Sequence, residues 1–277
     1  VNITRIADGL NATVQNITDP VETLSVANSQ APTGNVTFNF LNSAVAAADN
    51  SVKLDISNVN VANLTVQARG ATPTEGFETI NLSSKGAANT IGTLTAEDLQ
   101  TLTITGDQDL TLGGTATVTR AGAGTTVEAV RTVAGLANVA GSLTKVDASA
   151  LEGDFVYNIG NEINAGLDGT SGKSVDLEVI GGKGSNTFNL ANGASIDAAD
   201  KISGGEGGAT LITYGGVSNI AGTGNVTKVN TLEVRAGQDT GIAADTVTIN
   251  ANAFTDLQNI YVRNEGQDVV AGAWQSA

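Results

Sequence analysis

Apolar and polar residues alternate along most of this chain with a period of two. Asn35-Val36-Thr37-Phe38-Asn39-Phe40 does so, as do Val52-Lys53-Leu54-Asp55-Ile56, Leu102-Thr103-Ile104, Asp109-Leu110-Thr111-Leu112 and Thr246-Val247-Thr248-Ile249-Asn250. Such alternation in Val, Ile and Thr predicts half-buried strands. Gly, Asn and Asp interrupt the runs every few residues, where turns require them. Helix signals are few. Leu41–Ala48 predicts two helical turns, and Thr95-Ala96-Glu97-Asp98 predicts a capped turn with acids in its first positions. Thr125–Val133 fits helix or strand.

One pattern, Φ-x-(T/N/K)-Φ-x-Φ with Φ apolar, recurs. Its copies begin at Val21, Val61, Phe77, Leu99, Leu143, Val229 and Leu257, with starts 40, 16, 22, 44, 86 and 28 residues apart. Three of those spacings, 40, 44 and 86, lie near multiples of about 21, a period of stacked-coil architectures. In such a stack no unit buries its apolar face alone. The fold expected is therefore all-β: an elongated β-solenoid with Gly-rich turns and little helix. Coils of about 21 residues piled at about 4.8 Å would make a rod of roughly 60 Å. Antiparallel β-sandwiches, wholly or in portions, satisfy the same pattern. A mild change near residue 150 divides a Thr/Asn-rich region, 1–150, from a Gly-rich region, 151–277. The boundary is soft and compatible with one continuous body.

Composition narrows the chemistry. The chain has 277 residues, no His, no Cys and no Met, and a net charge of −15. Nucleophilic triads built on His or Cys cannot be assembled. Zinc, haem and iron–sulfur sites lose their usual ligands. The acidity opposes nucleic-acid binding, which needs clustered Lys and Arg. Oxygen donors remain, and these suit hard cations such as calcium. No apolar run approaches the roughly 18 residues of a membrane span, so no membrane insertion is expected. No signal peptide is visible at Val1–Leu10. Without an initiator Met, the sequence reads as a piece of a longer chain.

The most specific motif is Gly181-Gly182-Lys183-Gly184-Ser185-Asn186-Thr187-Phe188-Asn189. It matches the calcium-binding RTX nonapeptide G-G-x-G-x-D-x-U-x, except that Asn186 stands where Asp is expected. A second copy begins at Gly204-Gly205-Glu206-Gly207-Gly208, with Ala209 at the Asp position. The candidate metal site therefore comprises Gly181, Gly182, Gly184, Asn186, Gly204, Gly205, Glu206 and Gly207. Asp197 and Asp200 are its supporting carboxylates, with Asp176 nearby. An Asn oxygen ligates calcium without charge, and Ala cannot ligate at all. Asp107 and Asp109 form a D-x-D turn that reads as a solvated loop.

With Phe77–Leu82, Leu99–Gly106, Leu143–Ser149 and the two Gly-rich turns, the chain resembles the RTX-associated surface-layer proteins of Gram-negative bacteria and the related type I-secreted adhesins. The resemblance implies a secreted structural protein, not an enzyme. It would assemble with copies of itself into a lattice or filament at the cell surface, stiffened by calcium, with surface polysaccharide as a further partner. A stalk or binding segment of an adhesin is the alternative. A β-helical polysaccharide lyase is a third reading, weakened by the scarcity of aromatics for sugar stacking. Gly166–Ser174 resembles a Walker A loop but has one residue too many between its glycines. Trp274 reads as an end cap or a docking anchor.

Overall fold

Each alternating run forms a strand where it is described (Thr246 and Val247 lie outside the described residues), and nearly every strand pairs in parallel with the next turn of the chain. The computed structural model describes residues 1–18, 21–69, 75–121, 126–137, 142–160, 176–191, 194–214, 219–236 and 248–264. Gly166–Ser174 and Trp274 lie outside them. Among the described residues the large sheet holds 18 strands, all paired in parallel. The all-β, solenoid-like class expected from the alternation is the class observed.

Two faces carry the stack. On the first face, Thr23, Lys53, Asn81, Thr103, Asp147, Ile180, Ser203 and Thr227 stand one above another. Strand Asn2–Thr4 lies beneath them, and Phe254 bridges Val226 above. These ten levels span about 43 Å at about 4.8 Å per step. That is shorter than the rod expected from 21-residue coils. Steps in this column run from 22 to 44 residues, because some levels carry insertions. The longest step holds an antiparallel hairpin, Gly114–Ala121 with Thr126–Val133.

Alternation sends every second residue inward. On the first face Val52, Ile80, Leu102, Val146, Val179, Ile202 and Val226 form a ladder in which none is more than 1% exposed. On the second face Val61, Ile91, Leu112, Tyr157, Phe188, Leu211 and Leu232 do the same. The two ladders meet in one core cluster. Strand Lys145–Leu151 spans the composition change near residue 150 and pairs with strands on both sides of it.

The recurring pattern splits between the faces. Thr79, Thr101 and Lys145 stack directly on the first, whereas Thr231 and Asn259 stack on the second. Copies counted along the chain therefore do not keep one period.

The helix expectations are corrected. Leu41–Ala48 holds only a single 3-10 turn, Asn42–Ala44. Thr95 and Ala96 end strand Asn89–Ala96, and Asp98 turns the chain at φ 59°. Of the two alternatives open at Thr125–Val133, the structure takes the strand, Thr126–Val133. Strand pairing outweighs a weak local preference at Thr95 and Ala96, which pair with Thr65 and Val66, and decides Thr126–Val133, which pairs with Gly114–Ala121.

Asparagine serves at the corners. Asn28 and Asn58 take left-handed conformations within the two long strands Thr23–Phe40 and Ser51–Ala68. Few residues other than Gly do this readily. Their side chains join across the levels, with Asn58 Nδ2 donating to Asn28 Oδ1 at 3.2 Å.

Candidate site at the glycine-rich turns

The turn Gly181–Ser185 links strand Glu178–Ile180 to strand Asn186–Leu190, and the next turn, Gly204–Gly208, lies directly above it. The structure thus brings Gly181, Gly182, Gly184, Asn186, Gly204, Gly205 and Gly207 together. Glu206 sits at the tip of the upper turn with its side chain exposed.

Close stacking explains the glycines. A Cβ on Gly207 would fall 1.9 Å from the Gly184 carbonyl oxygen. Gly205 has φ +69°, and a Cβ there would meet two carbonyls of the lower turn at 2.3 Å. The backbone hydrogen bonds cross between levels: Gly181 N donates to Ser203 O at 2.8 Å, and Glu206 N donates to Gly182 O at 3.1 Å.

Asn186 lies at the centre of the pair and is 3% exposed. Its Oδ1 accepts from Gly182 N at 2.8 Å. Its Nδ2 faces four carbonyl oxygens: Gly184 at 2.8 Å, Gly204 at 2.8 Å, Gly208 at 3.0 Å and Gly182 at 3.3 Å. Two of these belong to the lower turn and two to the upper. In its column Asn186 stands between Phe155 and Ala209, so no carboxylate adjoins it there.

Asp197 and Asp200 are not part of this cluster, which corrects the expectation. They precede strand Lys201–Ser203, at the end opposite Gly204. Four residues of strand put Asp200 about 13 Å from that turn. Both carboxylates are engaged locally. Asp197 Oδ1 accepts from Ala199 N at 2.7 Å, and Asp200 accepts from Leu177 N at 3.1 Å and Asp197 N at 2.8 Å. Asp200 is 1% exposed, and burial above all pushes its carboxyl up to about 6; the charges of Asp197 and Asp176 add to this, and the two backbone hydrogen bonds oppose it. Among the described residues, no group of three or more Asp or Glu side chains is placed to hold a metal ion.

Sequence reading missed two further asparagine hubs. Asn89, 1% exposed, shares a column with Asn186, with Leu110 and Phe155 between them. Its Nδ2 donates to Ser84 Oγ at 2.9 Å, Lys85 O at 3.1 Å and Ala87 O at 2.7 Å, and its Oδ1 accepts from Val59 N at 2.8 Å. Asn225 Nδ2 reaches Asp197 O at 2.8 Å, Asp200 O at 3.0 Å and Ala221 O at 3.3 Å. A usable signal existed. Asn89-Thr90-Ile91 and Asn186-Thr187-Phe188 both open a strand just after a Gly-containing turn.

The D-x-D turn has a structural use. Asp109 Oδ1 accepts from Asp154 N at 2.9 Å, and Asp154 Oδ1 accepts from Ser185 N at 2.8 Å, so three successive turns are tied in a line. Also unforeseen were the acids at the corner near Phe77. Burial raises the Glu78 carboxyl, helped by Asp98, and burial raises Glu97.

Comparison with family models, curated proteins and solved structures gave no match to the chain.

Proposed function

We propose that this protein is a structural, self-associating component of a bacterial surface layer or extracellular lattice, and that copies join end to end along the stack. The observation that carries this reading is the state of the last described strand, Asn259–Asn264. It continues the buried second-face ladder, since Ile260 stacks on Leu232. Yet Ile260 is 59% exposed, Tyr261 49% and Val262 57%. Consecutive exposed apolar residues on a sheet edge form a template for pairing. The surface that best complements such an edge is another coil of the same kind, with strands at the same spacing and an aliphatic ladder at the same repeat. Leu10, 60% exposed at the opposite end, supplies apolar surface there too.

Net charge opposes close packing of copies, because each carries −15. Calcium would act here as a screening and bridging ion between acidic surfaces. The surface-layer resemblance supplies the extracellular setting. No catalytic step is assigned.

Sedimentation of wild type and of Val262→Lys, in millimolar calcium and in chelator, tests the proposal. Wild type is expected to form species larger than a monomer, more so with calcium. Val262→Lys is expected to remain monomeric with an unchanged melting temperature. A wild type that stays monomeric at every concentration in both buffers would contradict self-association and favour an adhesin stalk.

A further inference from the structure

We infer that the carboxamide of Asn186 stands in the place of a cation, so that the Gly181–Gly208 section of the stack closes without calcium. The ligand geometry carries the inference. Four carbonyls from two stacked turns converge on one point, as carbonyls do around a calcium ion. The point is filled by Nδ2, at hydrogen-bond distances of 2.8 to 3.3 Å. Its two protons are shared among the four oxygens. The remaining side-chain oxygen, which would be the Asn ligand to a metal, already accepts from Gly182 N. The carboxylate beside the lower turn, Asp154, is held by Ser185 N, and the column neighbours of Asn186, Phe155 and Ala209, bring no charge.

Asn89, three levels away in the same column, is a related hub: its Nδ2 donates to Ser84 Oγ and to the Lys85 and Ala87 carbonyls of its own turn, and its Oδ1 accepts from Val59 N of the neighbouring level. Both amides are nearly sealed from solvent and knit turns through hydrogen bonds alone, a structural use that needs no metal. An amide has a further physical advantage over an ion here. It is neutral, so burying it needs only that its hydrogen bonds be made.

The inference is independent of the assembly reading, since it concerns closure of turns within one chain. Its test compares thermal melting of wild type, Asn186→Ala and Asn186→Asp, each in excess chelator and in millimolar calcium. Asn186→Ala is expected to melt roughly 5 to 10 °C below wild type, by the same amount in both buffers. Calcium bound elsewhere would raise both proteins alike and cancel from that difference. Asn186→Asp puts a carboxylate among four carbonyls. It is expected to lose at least as much as the alanine variant in chelator and to regain most of that loss in calcium. If it cannot fold in chelator, it is expected to fold when calcium is present. A gap between wild type and Asn186→Ala that exists only in calcium would overturn the inference, because Asn186 would then be a ligand. An Asn186→Asp variant that calcium fails to rescue would overturn it as well, because the amide would not mark a cation position.

Discussion

Buried asparagines at the corners of this stack each satisfy several backbone groups at once. Asn158 and Asn189 add a further pair inside the second face, with Asn189 Nδ2 donating to Asn158 Oδ1 at 2.8 Å. Buried acids behave differently, since burial favours their neutral form. The Asp200 carboxyl sits at about 6 against an ordinary 3.8. Between those values the folded chain holds a proton that the unfolded chain releases. Stability therefore falls as pH rises through that window, and the loss is complete above it. Glu78 and Glu97 are shifted in the same direction. Asp200→Asn removes the titration. Moving from about pH 4 to about pH 7, wild type should lose as much as about 3 kcal/mol relative to the variant in urea unfolding. Equal pH slopes for the two proteins would show that Asp200 does not titrate across that range. The identity of Asn186 as a departure from the nonapeptide was legible in the sequence. Its role was not, because its acceptors include Gly204 and Gly208, which only stacking brings to it.

At the scale of the strand, alternation was a sufficient guide. Leu102, Thr103 and Ile104 read as in, out and in, and Leu102 and Ile104 are fully buried while Thr103 is not. Leu102→Ala should cost about 2 to 5 kcal/mol, because close-packed ladder neighbours Ile80 and Val146 cannot collapse into the space. Thr103→Ala, one residue along and on the outer side, should stay within about 0.5 kcal/mol of wild type. Chemical denaturation of the two variants checks the contrast; similar losses would mean the inward and outward assignments are wrong. Local preference left Thr125–Val133 open between helix and strand, and the hairpin partner Gly114–Ala121, which pairs with Thr126–Val133, decides for the strand.

For the whole molecule, parallel stacking was readable but its pitch was not. The pattern copies occupy two faces, and levels differ in length because hairpins and loops leave the stack between strands. Both facts make the spacing of the copies along the chain irregular, so no single period can be read from it. On the proposed reading, the exposed strand Asn259–Asn264, whose Ile260 stacks on Leu232 of the buried ladder, is where a coil of another copy adds. Electron microscopy of the protein isolated directly from a cell surface tests this reading most directly. Periodic sheets or fibres built from the chain are the expected result. Dispersed single particles, without order in calcium or in chelator, would contradict it.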